Sequence, residues 1–220
     1  MRQLIETSFW PAPAAEEMLL HESSHRVVNE FASAVGAISL AAARSRNAEV
    51  KSALAAVEDL LHNYACVHRC LRMPEDVRVD ATEYLRELCR AISRSQLDRR
   101  GINLVFAEHE VRMDAARCWR LGLIVSELIT NSARHAFADR AGLIRVELTA
   151  SATFYKCDVT DNGRSARVIR PGRGLGIINA LAKGLEGSIS QEFGSRGSRS
   201  RLTFPIETRV AGSFQEKLLA

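Results

Sequence analysis

The sequence predicts an α+β chain in two parts: an antiparallel helical hairpin suited to pairing as a four-helix bundle, followed by an α/β sandwich with one layer of helices and one of strands. Three observations predict it. Two consecutive apolar stripes at helical spacing occupy the first third of the chain; "MPED", with Pro74 and two acids, interrupts them; and beyond Gly101 helical and strand-like periods alternate. With 220 residues, 46% hydrophobic and 25% charged, the chain is long enough to bury a sizeable core and has an ordinary globular composition.

The elements follow in order. Residues 1–14 form an expected N-terminal arm, because Pro11 and Pro13 in "WPAPAA" oppose a regular element. From Ala15, the residues Val28, Phe31, Val35, Ile38 and Ala42 recur at steps of three and four, and Val50, Leu54, Val57, Leu61, Tyr64 and Leu71 repeat the pattern after "RSRNAE". Two helices joined so briefly are antiparallel neighbours, and their stripes are best covered by a second copy, so residues 15–74 are expected to dimerise. "DATE", Asp80 to Glu83, is a capping-box signal for a new helix at the start of a second domain, residues 75–207. Within it "INLVFA" reads as a strand, Asp114 to Phe137 as a helix, "LIRVELTA" and "TFYKCDVTD" as a hairpin of strands, "LGIINALAKGL" as a helix, and "GSISQEF" and "SRLTFPIE" as two closing strands. Residues 208–220 remain as a C-terminal tail.

Composition excludes several classes of function. Thirty basic against 26 acidic residues leave a net charge of +4, too weak a balance to imply nucleic acid. The longest apolar run, residues 32–43, is too short to span a bilayer, and no signal peptide is recognisable, so a cytoplasmic chain is expected. The five cysteines, Cys66, Cys70, Cys89, Cys118 and Cys157, are odd in number and lack paired metal-ligand spacing, which reads as reduced thiols.

The chemistry concentrates in four stretches. In "SELITNSARHAF" the residues Glu127, Asn131, Arg134 and His135 share one side of a helix whose Leu123, Ile124, Leu128 and Ile129 supply a packing surface. "VTDNG" closes a strand with Asp161, Asn162 and Gly163, a carboxylate beside a flexible turn. "GRGLG" puts Gly172, Gly174 and Gly176 at the start of a helix, where free backbone amides can cradle phosphate. In "GSRGSRSRLTF", Gly197 precedes the final strand. Singly, each glycine cluster is an ordinary turn and the polar row an ordinary solvated face; their order and spacing make them informative together.

In that order the stretches resemble the ATP-binding domain of the superfamily that contains histidine kinases and gyrases, the GHKL or Bergerat fold, over about residues 80–206. "SELITNSARHAF" is similar to its N box, "DVTDNG" to its first glycine box and "GRGLGIINALAKGLEGSI" to its second. The resemblance implies that Asn131 holds a magnesium ion bridging the phosphates, with Glu127 beside it as a catalytic group and Arg134 and His135 one turn further along. It also implies that Asp161 accepts from the adenine amino group, and that Gly163, Gly172, Gly174 and Gly176 serve the nucleotide. ATP and magnesium are the implied cofactors, and the residue types suit them, since magnesium takes oxygen ligands and a carboxylate accepts from an exocyclic amine.

A second resemblance covers the hairpin. "LLHESSHRVVNE", residues 19–30, is similar to the phosphoacceptor box of the HWE and HisKA_2 classes of sensor histidine kinases, with a core of His25, Arg26, Val27, Val28 and Asn29. It implies that His25 takes the γ-phosphoryl group of ATP and passes it to an aspartate on a response-regulator receiver. Asn29, one turn on, matches the position that places water for the reverse dephosphorylation. On a helix His25 flanks the apolar stripe with Asn29 beside it, His21 is the runner-up for the same role, and Glu22 stands where it can orient the imidazole.

Two features depart from the pattern: Ser165 stands where the first glycine box usually continues with a second glycine, and the lid from Arg164 to Pro171 is short. Its Arg164, Arg167 and Arg170, with Arg173, are either phosphate contacts or a solvated loop. The alternative reading is a histidine phosphotransfer protein or response-regulator phosphatase whose ATP-like domain has degenerated. A serine-directed anti-sigma kinase ranks last, because it does not need the histidine-bearing hairpin.

Overall fold

The structure is a computed structural model that describes residues 15–137, 140–164 and 173–206, with the side chains of residues 15–21, 23–25 and 173 outside the described set. The chain divides between Met73 and Pro74 into two compact units.

The first unit is a helical hairpin of α1 (Ala15–Arg44) and α2 (Ala48–Cys70). Asn47 starts α2 by accepting from the amides of Glu49 at 2.8 Å and Val50 at 3.4 Å, which satisfies two donors that a helix start leaves open. The antiparallel arrangement shows in the contacts: Ser39 donates to Glu58 at 2.7 Å, while the Phe31 ring lies 6.2 Å from that of Tyr64 and 5.6 Å from that of His68. Burial beside Phe31 pushes the His68 pKa below its usual value. Among the described hydrophobic residues of this unit only Val67 is buried, whereas Leu40, Val50 and Val57 are 52%, 44% and 43% exposed. Two helices by themselves can cover only the faces they turn to each other.

The second unit opens with β1 (Arg78–Asp80) and α3 (Ala81–Ile92), and continues with β2 (Ile102–Ala107), β3 (Arg112–Asp114) and α4 (Ala115–His135). Then come the hairpin β4 (Gly142–Ala150) and β5 (Phe154–Asp161), the helix α5 (Arg173–Gly184), and the strands β6 (Ser188–Gly194) and β7 (Gly197–Pro205). The main sheet has the order β2-β4-β5-β7-β6, with β2 parallel to β4 and every other pair antiparallel. The small pair β1–β3, which sequence periodicity did not predict, joins the starts of α3 and α4. Strands of three residues carry too little alternation to be read.

The helices α3 and α4 both begin on an aspartate. Asp80 accepts from the Thr82 and Glu83 amides at 2.9 and 3.1 Å, and Asp114 from the Ala116 and Arg117 amides at 2.9 and 3.3 Å. Ile144, Val146 and Leu148 alternate along β4 with more exposed neighbours and face a core that contains Leu85, Leu88, Trp119, Ile124, Ile129 and Phe204. Gly122 lets α3 approach α4, since a Cβ there would meet the Tyr84 hydroxyl at 2.5 Å. All five cysteines are free; burial pushes the Cys89 and Cys118 thiols up to about 12 and the Cys157 thiol higher, so these three are un-ionised packing groups. Among the described residues no helix is long and apolar enough to cross a membrane.

Candidate functional site

The site is assembled where the C-terminal end of α4, the end of β5, the beginning of β7 and the beginning of α5 converge. Antiparallel pairing of β5 and β7 in the register Asp161↔Ser198 supplies its centre. The Asp161 carboxylate is only 8% exposed. One oxygen, Oδ1, accepts from the Gly163 amide at 3.0 Å and the Ser198 amide at 3.3 Å, and the other, Oδ2, accepts a short hydrogen bond from the Ser198 hydroxyl. Buried carboxylates need such partners. With two lone pairs per oxygen, Oδ1 is filled and Oδ2 keeps one acceptor position.

Two glycines in this frame are there for steric reasons internal to the protein. At Gly197, with φ +132°, a Cβ would stand 1.9 Å from the Asp161 carbonyl oxygen. At Gly163 it would stand 2.3 Å from the Ala136 carbonyl oxygen, just beyond the end of α4. No side chain fits either place, so both glycines allow close approach of two backbones. Gly174 differs, because its neighbour is a side chain: a Cβ there would stand 2.2 Å from the Glu127 carboxylate, which can move. That contact brings the polar row of α4 against the first turn of α5. Gly176 has no such neighbour and looks into open space, and Gly172 lies outside the described residues.

Along α4, Glu127 and Asn131 are half-buried and Arg134 and His135 are exposed in the last turn. The end of this helix is held from two sides: the Arg100 guanidinium donates to the Ala133 carbonyl at 2.8 Å, and the Arg164 amide donates to the Ala136 carbonyl at 2.8 Å. Phe137, fully enclosed, packs against Gly142, where a Cβ would stand 2.0 Å from the ring. Two carbonyls at the end of the helix that carries the polar row are thereby met.

In the hairpin unit, His25 and Asn29 lie on α1, with the His25 side chain outside the described set. Arg26 pairs with Glu22 at 3.0 Å, so the carboxylate expected to orient the imidazole is engaged by the neighbouring guanidinium. Ser165, Arg167 and Arg170 of the lid lie outside the described residues.

Sequence reasoning brought forward Asp161, Gly163, Glu127 and Gly174, and the structure joins them pairwise through the Asp161–Gly163 hydrogen bond and the Glu127–Gly174 contact. It missed Ser198 and Arg100. A serine directly after Gly197 was the available signal for the first; for the second there was none, since the bond spans 33 positions.

The model of the histidine kinase-like ATPase domain matches residues 73–203, and the HisKA_2 model, described as histidine kinase, matches residues 22–96. The chain belongs to the histidine kinase family. Its second unit accordingly has the GHKL-type fold of histidine kinase catalytic domains. Among curated relatives of this family, the sensor histidine kinase PdtaS of Mycolicibacterium smegmatis is 26% identical over 208 residues, covering 90% of this chain and 42% of that protein. PdtaS of Mycobacterium tuberculosis is 26% identical over 204 residues, covering 89% and 41%. The chain thus spans about two fifths of the length of these relatives. Among solved structures, the histidine kinase domain of the blue-light activated kinase EL346 from Erythrobacter litoralis superimposes with a TM-score of 0.59 at 20% identity, covering 81% of this chain and 96% of that one. A bacterial phosphotransferase gives a TM-score of 0.62 at 14% identity over 88% of this chain and 98% of the other, a likeness of fold.

Proposed function

We propose that the chain is the transmitter core of a cytoplasmic sensor histidine kinase: it binds magnesium-ATP in the second unit, phosphorylates His25, and delivers the phosphoryl group to an aspartate of a response-regulator receiver, acting as a homodimer through the hairpin. The observation that carries the nucleotide assignment is Asp161, a buried carboxylate whose oxygens are fixed by three donors and which keeps one acceptor position. An exocyclic amine fits that position, and a purine carrying a carbonyl there does not. A solved relative, full-length ShkA, was determined in complex with AMPPNP and superimposes with a TM-score of 0.52 at 19% identity, which supports an adenine nucleotide as the ligand of this fold.

The donor set fits magnesium. Asn131 offers one amide oxygen on a helix whose end is anchored, and a magnesium ion takes few protein ligands when phosphate oxygens and waters complete its octahedron. Bound there, the ion would neutralise charge on the phosphates during transfer. Glu127 lies beside Gly174 in the first turn of α5, whose open amides would donate to the phosphates. Arg134 and His135, exposed at the end of α4, add donors at the rim. In the reaction an unprotonated ring nitrogen of His25 attacks the γ-phosphorus in line, a nitrogen–phosphorus bond forms, the bond to the β-γ bridging oxygen breaks, and ADP leaves. Asn29 serves the return path by placing water against the phosphorylated receiver. The exposed Leu40, Val50 and Val57 are the surface that a second hairpin would cover.

The deciding experiment incubates wild type and His25→Ala with γ-labelled ATP and magnesium, then tests the label for acid lability and base stability. Label with those properties in wild type and none in His25→Ala is expected. Absence of label together with absence of ATP binding would refute the kinase reading and favour a phosphotransfer protein or phosphatase. A normal receiver-dephosphorylation rate in Asn29→Ala would remove the role given to that residue.

A further inference from the structure

We infer that Asn162, the residue after the nucleotide carboxylate, is a positioning residue whose side chain takes the place of a main-chain carbonyl and so holds the Asp161 loop in register. The inference rests on the nucleotide-site reading and adds to it a residue that none of the site assignments includes. Regular pairing of β4 with β5 ends at Ile144↔Asp161. One step further, the Asn162 amide still donates to the Leu143 carbonyl at 3.1 Å, as a continued ladder requires. The reciprocal bond differs: the Leu143 amide donates to Asn162 Oδ1 at 2.8 Å. The side-chain amide closes the pair, and the main chain is released from the sheet directly after Asp161.

That release lets the chain cross to α4. Gly163 runs against the Ala136 carbonyl, and the Arg164 amide bonds that same oxygen at 2.8 Å. The loop is therefore pinned to β4 at Asn162 and to α4 at Arg164, with Gly163 between the two pins. Gly163 supplies one of the three hydrogen bonds that orient Asp161, at 3.0 Å. Loosening Asn162 frees Gly163, and with it the carboxylate loses a fixed donor. A short side chain with an acceptor three bonds from Cα reaches the Leu143 amide, which Asn and Asp provide. The same oxygen helps explain Gly142, whose Cβ would come 3.0 Å from it.

The test compares ATP binding, in the presence of magnesium, by wild type, Asn162→Ala, Asn162→Asp and Ser151→Ala, together with KM and kcat for autophosphorylation. Ser151 is the control because its hydroxyl oxygen accepts from the Phe154 amide at 3.0 Å at the opposite turn of the same β4–β5 hairpin. Asn162→Ala should weaken ATP binding about five-fold, the size expected from one net hydrogen bond, and raise KM far more than it lowers kcat. Asn162→Asp should restore most of the affinity, and Ser151→Ala should bind as wild type even if its melting temperature falls as much. Unchanged ATP affinity in Asn162→Ala, or an equal loss in Ser151→Ala, would overturn the inference while leaving the nucleotide site intact. Wild type that fails to bind ATP would instead bring down the nucleotide reading on which the inference stands.

Discussion

The two units solve the problem of burying apolar surface in different ways. The sandwich encloses Trp119, Phe137, Phe204 and a set of leucines and isoleucines between three helices and a five-stranded sheet. The hairpin leaves Leu40, Val50 and Val57 open and buries Val67 alone among its described hydrophobic residues. The difference teaches where stability must come from: three helices packed on a sheet make a closed core, whereas two helices have an outer face that only another surface can cover. It also matches the division of labour proposed here, with rigid nucleotide chemistry on the closed unit and exchange of partners on the open one.

Truncations of equal kind in the two units give the largest contrast. Trp119→Ala removes a buried ring and should cost about 3–5 kcal/mol in denaturant unfolding, independent of protein concentration. Phe31→Ala, at a half-buried ring stacked near Tyr64, should cost less, and its cost should change with concentration if the proposed homodimer forms through the hairpin. Equal and concentration-independent losses would break the comparison.

Next in size, Asn131→Ala should lower the autophosphorylation rate by about 100-fold while the unfolding midpoint stays within experimental scatter. Retention of the wild-type rate would show that the polar row of α4 does not serve the phosphates. A pair of surface changes, Leu40→Glu with Val57→Glu, should shift the proposed dimer to monomer in sedimentation while ATP affinity is unchanged, since both are exposed apolar side chains of the hairpin. An unaltered dimer would move the interface elsewhere.

The smallest effect concerns pH. Burial lowers the folded-state pKa of His68 below its unfolded value near 6.5, so the group contributes stability that is present above pH 6.5 and lost as pH falls through the folded pKa. Melting of the hairpin, followed by helical circular dichroism, should decline below pH 6.5 in wild type and do so less in His68→Phe. The sandwich is the internal reference, because burial pushes its three thiols up and keeps them un-ionised throughout this range.

Much of the fold was legible in the sequence because long elements repeat their signal. The stripes of α1 and α2 and the alternation of β4 and β5 are local periods, and the capping signal from Asp80 to Glu83 announces the start of α3. The candidate residues stand in the sequence as a series, Glu127 and Asn131, then Asp161 and Gly163, then Gly174, and the structure brings Gly163 against Asp161 and Gly174 beside Glu127. The pair β1–β3 and the π-helical turn Ser93–Leu97 were not, since elements of three to five residues have no period to show.

The sequence by itself determined which long segments become helices and strands, which family the boxes resemble, and which residue types are offered for chemistry, because each of these depends on neighbours within a few positions. Only the tertiary structure decided what the residues do to one another. Glycine at 163, 174 and 197 looks the same in a sequence, yet each answers to a different neighbour: the Ala136 carbonyl, the Glu127 carboxylate and the Asp161 carbonyl. Ser198 serves Asp161 across 37 positions and Arg100 serves Ala133 across 33. Such pairings follow from strand register and helix packing, which place distant residues within hydrogen-bond reach and leave no periodic trace along the chain.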